Sequence, residues 1–173
     1  VKRIPYEIQV GELLRQKGLK LVLAESCTGG LVGNLITNIA GSSDYYLGSV
    51  TAYAYEAKEA LLGVKHETLL QYGAVSRPTV LEMAAGVRHS LAGDIPLETI
   101  IGVSISGIAG PGGGLPEKPV GTVWFGMSTA QGDWAWRYLF HGDRVQNKRS
   151  AARTALKLVI ASLSGKLPPE NPR

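Results

Sequence analysis

The sequence predicts an α/β fold with three α/β/α layers, in which helices cover both faces of a mixed, mostly parallel sheet of about five strands. Three observations lead there. Short apolar runs alternate with segments whose apolar residues recur at helical spacing. Ile100-Ile101-Gly102-Val103-Ser104-Ile105 is almost continuously apolar, as a central strand covered on both faces must be. Late in the chain, residues 120–128 and 134–140 flank the hairpin-like turn Ala130-Gln131-Gly132-Asp133, so early parallel pairing gives way to an antiparallel ribbon.

In chain order, residues 6–17 read as a helix: Ile8, Val10, Leu13 and Leu14 keep helical spacing and Gly18 ends it. Residues 19–24 form an apolar strand that turns through Ser26 into a helix over 29–38. Residues 41–44 are a loop, and residues 49–53 a second strand. A short helix over 56–62 stops at Gly63. Ser76 caps the next helix, whose first turn tolerates Pro78 because the missing N–H has no helical partner there. Val80, Ala84, Val87 and Leu91 mark its buried face. After the central strand comes a Gly/Pro-rich loop, residues 107–119, then the hairpin, then a long helix capped by Asp143. Residues 1–165 make one domain, and residues 166–173, rich in proline, are expected to be a flexible tail.

Composition excludes several classes. A chain of 173 residues with 45% apolar and 18% charged residues can build a core and is not disordered. No apolar run approaches the roughly 18 residues a membrane span needs, and Val1-Lys2-Arg3-Ile4-Pro5-Tyr6 has no apolar signal core. The expectation is a cytoplasmic protein with no membrane partner. One cysteine, Cys27, forbids an internal disulfide, and with three scattered histidines it argues against a metal site. A net charge of +4 suits an anionic ligand, but there is no basic stripe with aromatics of the kind nucleic acid needs.

The chemistry concentrates at Glu25-Ser26-Cys27-Thr28-Gly29-Gly30. A strand turning sharply into a helix exposes its turn residues, and the first N–H groups of the helix favour negative charge. A nucleophile there gains stabilisation of its own anion and of the oxyanion it creates. Ser26 is the first candidate and Cys27 a rival, since thiols at helix starts acidify. Each also has a structural use, Ser26 and Thr28 as caps and Cys27 as a small buried side chain. By residue type the base is His66, His89, His141 or a lysine deprotonated by burial, for which Lys58 lies close after the second strand. Tyr53, ending that strand, is within reach of the same site.

Five stretches in order resemble one family. They are Leu23–Gly30; Gly41-Ser42-Ser43-Asp44-Tyr45-Tyr46 with Glu56-Ala57-Lys58; Gly73-Ala74-Val75-Ser76; Ser106–Gly114 with Lys118-Pro119-Val120-Gly121-Thr122; and Phe140 followed by Gly142-Asp143-Arg144. The chain is similar to the CinA C-terminal domain family, also known as the PncC nicotinamide-nucleotide amidases. The resemblance implies a cytoplasmic homo-oligomeric serine amidase without metal or cofactor. It would hydrolyse nicotinamide mononucleotide to nicotinic acid mononucleotide and ammonia. It implies Ser26 as nucleophile, with Lys58 acting directly or through Tyr53 as base. The backbone near Thr28, Gly29 and Gly30 would hold the oxyanion. Ser42, Ser106, Gly107, Gly110 and Arg144 would bind substrate, the Ser106–Gly114 loop and Arg144 at its ribose phosphate. Two departures stand out: Ala54 and Tyr55 replace a Ser-Asn pair, and Lys148-Arg149 falls where the family is rich in arginine. The alternative reading is a non-catalytic nucleotide-binding or regulatory module of a competence- or damage-inducible protein. Such a module has no need of Ser26 with Lys58.

Overall fold

The structure, a computed structural model, describes residues 4–171. The N-terminal residues read above for a signal, Val1 to Arg3, and the last two residues of the tail lie outside the described residues. Eleven elements follow in the order α1 (Tyr6–Lys17), β1 (Lys20–Glu25), α2 (Leu31–Thr37), β2 (Tyr46–Thr51), α3 (Tyr55–Leu62), α4 (His66–Tyr72), α5 (Arg77–Ser90), β3 (Ile100–Gly107), β4 (Thr122–Thr129), β5 (Gly132–Leu139) and α6 (Arg144–Leu163). Short 3-10 turns at Ser42–Asp44 and Leu97–Thr99 precede β2 and β3.

The strands make one sheet in the order β2-β1-β3-β4-β5. β1 pairs in parallel with β2 and with β3, and β3–β4 and β4–β5 are antiparallel. The three-layer reading and the switch from parallel to antiparallel pairing are therefore as the sequence predicts. Alternation explains why the central strands read as continuously apolar. Leu21 and Leu23 of β1 join the core under α1, α2 and α6, whereas Val22 and Ala24 join the core under α3, α4 and α5. Leu14, Ile36, Phe125, Trp136 and Leu156 fill the first core; Leu62, Leu69, Met83 and Val87 fill the second.

Helix α5 sits unusually close to the sheet. A Cβ on Gly102 would lie 2.3 Å from the Ala84 carbonyl oxygen, and one on Gly126 would lie 2.3 Å from that of Val80. Ser104 Oγ donates to the same Val80 oxygen. These two glycines let the helix backbone rest on β3 and β4.

Three elements differ from expectation. α4 begins at His66, where the sequence suggests a helix start without giving its extent. It has seven residues, no side-chain cap at Lys65, and Leu70 on its surface beside the buried Leu69. Such a helix carries almost no amphipathic signal. β2 starts at Tyr46 and ends at Thr51, which frees residues 52–54 for a turn. The tail is a correction as far as residue 171: it is not loose but lies along the outer edge of β5. The Ala135 N–H donates to Glu170 Oε1 at 2.7 Å, the Arg137 N–H to Asn171 Oδ1, and Trp136 Nε1 to the Pro168 oxygen at 3.0 Å. Glu170 also pairs with Arg77 at 2.9 Å. An edge strand presents unpaired N–H groups, and the tail's side chains satisfy two of them.

Gly126→Ala is expected to destabilise the fold by about 1–3 kcal/mol or more, because the added methyl meets backbone rather than a movable side chain. Gly112→Ala, with nothing within 4 Å of the new Cβ, is expected to stay within about 0.5 kcal/mol of the wild type. Urea denaturation of the two variants measures both.

Candidate active site

β1 delivers Ser26 to the carboxyl end of the sheet, and parallel pairing delivers the end of β3 beside it. The Ser26 N–H donates to the Ile105 oxygen at 2.9 Å, which fixes the backbone from which the hydroxyl projects. The chain then coils through Gly29 at φ +62° and Gly30 at φ +94° before α2 begins at Leu31. Side-chain-bearing residues rarely adopt that region, so the tight turn needs both glycines.

This coil brings the α2 start back over Glu25. The carboxylate is fully buried and accepts three amides: Gly30 N–H at 3.0 Å, Val32 N–H at 3.1 Å and Gly33 N–H at 2.9 Å. A protein anion thus already occupies the helix start, which the sequence reading left open to substrate. The expected oxyanion donors change accordingly. The Gly29 N–H donates to the Ser26 oxygen at 3.1 Å and the Gly30 N–H to Glu25, so neither is available. The amides of Cys27 and Thr28 make no hydrogen bond to another described residue.

Lys58, on α3, enters from the other side. Its side chain is fully buried, and Nζ lies 3.0 Å from Ser26 Oγ. The same nitrogen donates to the Ala52 oxygen at 2.9 Å and the Tyr53 oxygen at 2.9 Å. Burial disfavours the ammonium and lowers its pKa from 10.5 to about 8. Three oxygens surround Nζ: the two carbonyls accept its N–H bonds, and the Ser26 hydroxyl accepts from the ammonium or donates to the lone pair of the neutral amine.

The remaining expected residues divide. Ser106, buried near the end of β3, follows Ile105 beside Ser26, and Gly107 follows it. A Cβ on Gly107 would stand 2.8 Å from the Thr122 oxygen, so this glycine admits the neighbouring strand. Gly110 offers its carbonyl to Arg144 Nη1 at 2.7 Å, while Arg144 Nη2 donates to the Tyr53 hydroxyl at 3.1 Å. Tyr53 is therefore corrected as a relay. Lys58 meets Ser26 directly, its contact with Tyr53 is to the backbone oxygen, and the phenol, on an exposed residue, is engaged with Arg144. Ser42 is also a correction. β2 runs parallel to β1, so the turn that precedes it lies at the amino end of the sheet, about 20 Å of strand from Ser26. There Lys20 Nζ donates to the Asp44 oxygen.

Cys27 is buried, and burial pushes its thiol up to about 12, so it behaves as a packed apolar side chain. His66, His89 and His141 are exposed, and His66 is paired with Glu59 at 2.8 Å. Among the described residues no three His, Cys, Asp or Glu side chains are grouped to hold a metal ion. Sequence reasoning missed Asn147. Buried in α6, it accepts from the Gly142 N–H at 2.9 Å and donates to the Ala109 oxygen at 3.1 Å, tying the glycine loop to the helix.

A fully buried lysine amine against a serine hydroxyl, at the carboxyl edge of a three-layer sheet, defines an α/β/α protein with a serine–lysine pair. Comparison with known proteins narrows this. The CinA C-terminal domain model matches residues 4–163, and the chain belongs to that family. The Nicotinamide-nucleotide amidohydrolase PncC of Escherichia coli (strain K12) is 49% identical over 150 residues, covering 86% of this chain and 87% of the relative. A CinA-like protein of Salinibacter ruber is 46% identical over 161 residues, 93% of this chain, but the chain spans only 38% of that relative's length. A crystal structure of a CinA superfamily protein from Klebsiella pneumoniae superposes with a TM-score of 0.85 at 34% identity, covering 92% of this chain and 96% of that one.

Glu25→Ala is expected to cost at least about 2–3 kcal/mol of stability, since three buried amides lose a charged acceptor. Thermal or urea unfolding checks this, and Glu25→Gln, which keeps one acceptor oxygen, is expected to lose less.

Proposed function

We propose that this chain hydrolyses the carboxamide of nicotinamide mononucleotide to nicotinic acid mononucleotide and ammonia, with Ser26 as nucleophile and Lys58 as its base. The observation that carries the reading is the 3.0 Å contact between Ser26 Oγ and a fully buried Lys58 Nζ. The kinship with a nicotinamide-nucleotide amidohydrolase over 86% of the chain supports the substrate.

The steps follow from the geometry. Neutral Lys58 accepts the Ser26 proton as Oγ attacks the carboxamide carbon. The carbonyl oxygen becomes an oxyanion, and the donors nearest the nucleophile in the chain are the Thr28 amide and the Cys27 amide, which bonds only its own thiol. The Lys58 ammonium then gives its proton to the departing nitrogen, and ammonia leaves an acyl ester on Ser26. Water, deprotonated by the same amine, attacks that ester and returns Ser26 and the carboxylic acid. The oxygens of Ala52 and Tyr53 hold Nζ in place in both protonation states. Arg144 joins Tyr53 to Gly110 and so braces the mouth of the site. The chain is read as a protein free in solution; among the described residues no helix is long and apolar enough to cross a membrane. Assembly into a homo-oligomer belongs to the same reading.

Ammonia release from nicotinamide mononucleotide tests the proposal. Ser26→Ala is expected to abolish release, whereas Cys27→Ala keeps it within a few-fold of the wild type. No release by the folded wild-type chain, with nucleotide still bound, would replace the enzyme by a binding module. The base makes a further prediction. Lys58 works as the free amine, so kcat/KM is expected to rise with pH through a midpoint near about 8 and then level. Lys58→Arg, cationic throughout, is expected to lose about 100-fold or more at every pH.

A further inference from the structure

The helix that carries Lys58 begins without a cap. Ala54 holds the N-cap position of α3 in an extended conformation, φ −78° and ψ 165°, and has no side-chain oxygen to accept the first helical N–H groups. α3 has only eight residues, and a short helix with an unsatisfied start frays. Fraying here would reach the amine directly. The Lys58 N–H donates to the Ala54 oxygen at 3.2 Å in the first turn, and Lys58 Nζ is held by the oxygens of Ala52 and Tyr53 just before it.

Tyr55 holds that start from outside the helix. It is the first residue of α3, and its hydroxyl accepts from the Ala74 N–H at 3.2 Å, in the turn between α4 and α5. The Ala74 N–H has no other partner among the described residues. The turn itself is well bonded. The Gly73 N–H donates to the Leu69 oxygen at 2.9 Å, and the Gly73 oxygen accepts from Ser76 Oγ at 2.9 Å and Thr79 Oγ1 at 2.8 Å. Lys118 fastens the glycine-rich loop to the same turn, donating to the Tyr72 oxygen at 2.7 Å. The phenol therefore moors the start of α3 to a junction 19 residues away in sequence. Lys58 follows Tyr55 by three positions, so both lie on one side of the same turn. Ala54-Tyr55 is also where the chain departs from the family's Ser-Asn pair.

We propose that Tyr55 is a positioning residue for the base: its moored hydroxyl stands in for the missing cap, holds the first turn of α3 closed and so keeps water from the Lys58 amine. The inference rests on Lys58 acting as the base of Ser26. Without the hydroxyl the turn loosens, and water that reaches Nζ again solvates the ammonium, so less free amine is present at a given pH. The titratable group that acts on Lys58 is the Cys27 thiol, which burial pushes up to about 12 and keeps neutral. Glu25, Glu56, Glu59, Glu82, Arg88 and His89 make no ion pair or hydrogen bond with Nζ. The midpoint of the amine therefore reports its burial.

Tyr55→Phe is the test, since it removes one hydroxyl from an exposed side chain and leaves the ring in place. The midpoint of kcat/KM against pH, with nicotinamide mononucleotide, is expected to rise from about 8 toward 10.5. A rise of about half a pH unit or more lowers kcat/KM about three-fold or more near neutral pH, with much of the loss regained at high pH and KM held within about two-fold. In Ala54→Ser/Tyr55→Phe the serine hydroxyl caps α3 from within, and the midpoint is expected to return to about 8. An unmoved midpoint in Tyr55→Phe, with any loss of activity matched by lost stability in urea, would overturn the role. If the wild type releases no ammonia, the amidase reading fails by itself. NMR titration of the Lys58 side-chain nitrogen in the wild type and in Tyr55→Phe then decides the positioning: the same rise supports it, and equal midpoints refute it.

Discussion

The site depends on keeping one lysine amine out of water. Nothing anionic balances Lys58, whose polar contacts are a hydroxyl and two carbonyls. A buried ammonium without a counter-ion is disfavoured, so burial favours the free amine that the proposed base requires. Everything around the amine serves that burial. α3 brings it under the end of β2, and the turn at residues 52–54 offers its carbonyls inward. Val22, Ala24, Ala52 and Leu62 form the apolar packing of the same layer.

Glu25 solves the neighbouring problem. A helix start beside a nucleophile attracts anions, and a phosphate or carboxylate bound there would compete with the reacting carbonyl. The protein fills that start with its own carboxylate and so fixes the coil through Gly29 and Gly30. The proposed oxyanion donors are accordingly the amides before the helix rather than those within it.

Much of this was legible in the sequence. Ser26 after an apolar strand and before two glycines announces a tight turn at the strand end, though the sequence reads that turn as exposed and Ser26, Cys27 and Thr28 are buried; the apolar run at residues 100–105 announces the neighbouring strand. Lys58 could be named by type and by resemblance, but its meeting with Ser26, 32 residues earlier, requires β2 to pair beside β1. That same pairing removes Ser42, since the turn before a parallel strand must lie at the far end of the sheet. Which atom Tyr53 offers depends on the backbone path after β2: its carbonyl faces Lys58 and its phenol faces Arg144. Glu25 and Asn147 were hidden for a common reason. Each bonds to backbone brought near by a coil, and no spacing rule encodes that. The tail was misread because its composition is that of a loose end, whereas its bonds are set by the open edge of β5.

The central claim is that Lys58 is a base because it is buried. The most direct measurement is an NMR titration of the Lys58 side-chain nitrogen in the folded protein, assigned with Lys58→Arg. The account predicts a midpoint of about 8, below the ordinary lysine value of 10.5. A midpoint at the ordinary lysine value of 10.5 would contradict it, because burial would then not have raised the share of free amine that can take the Ser26 proton.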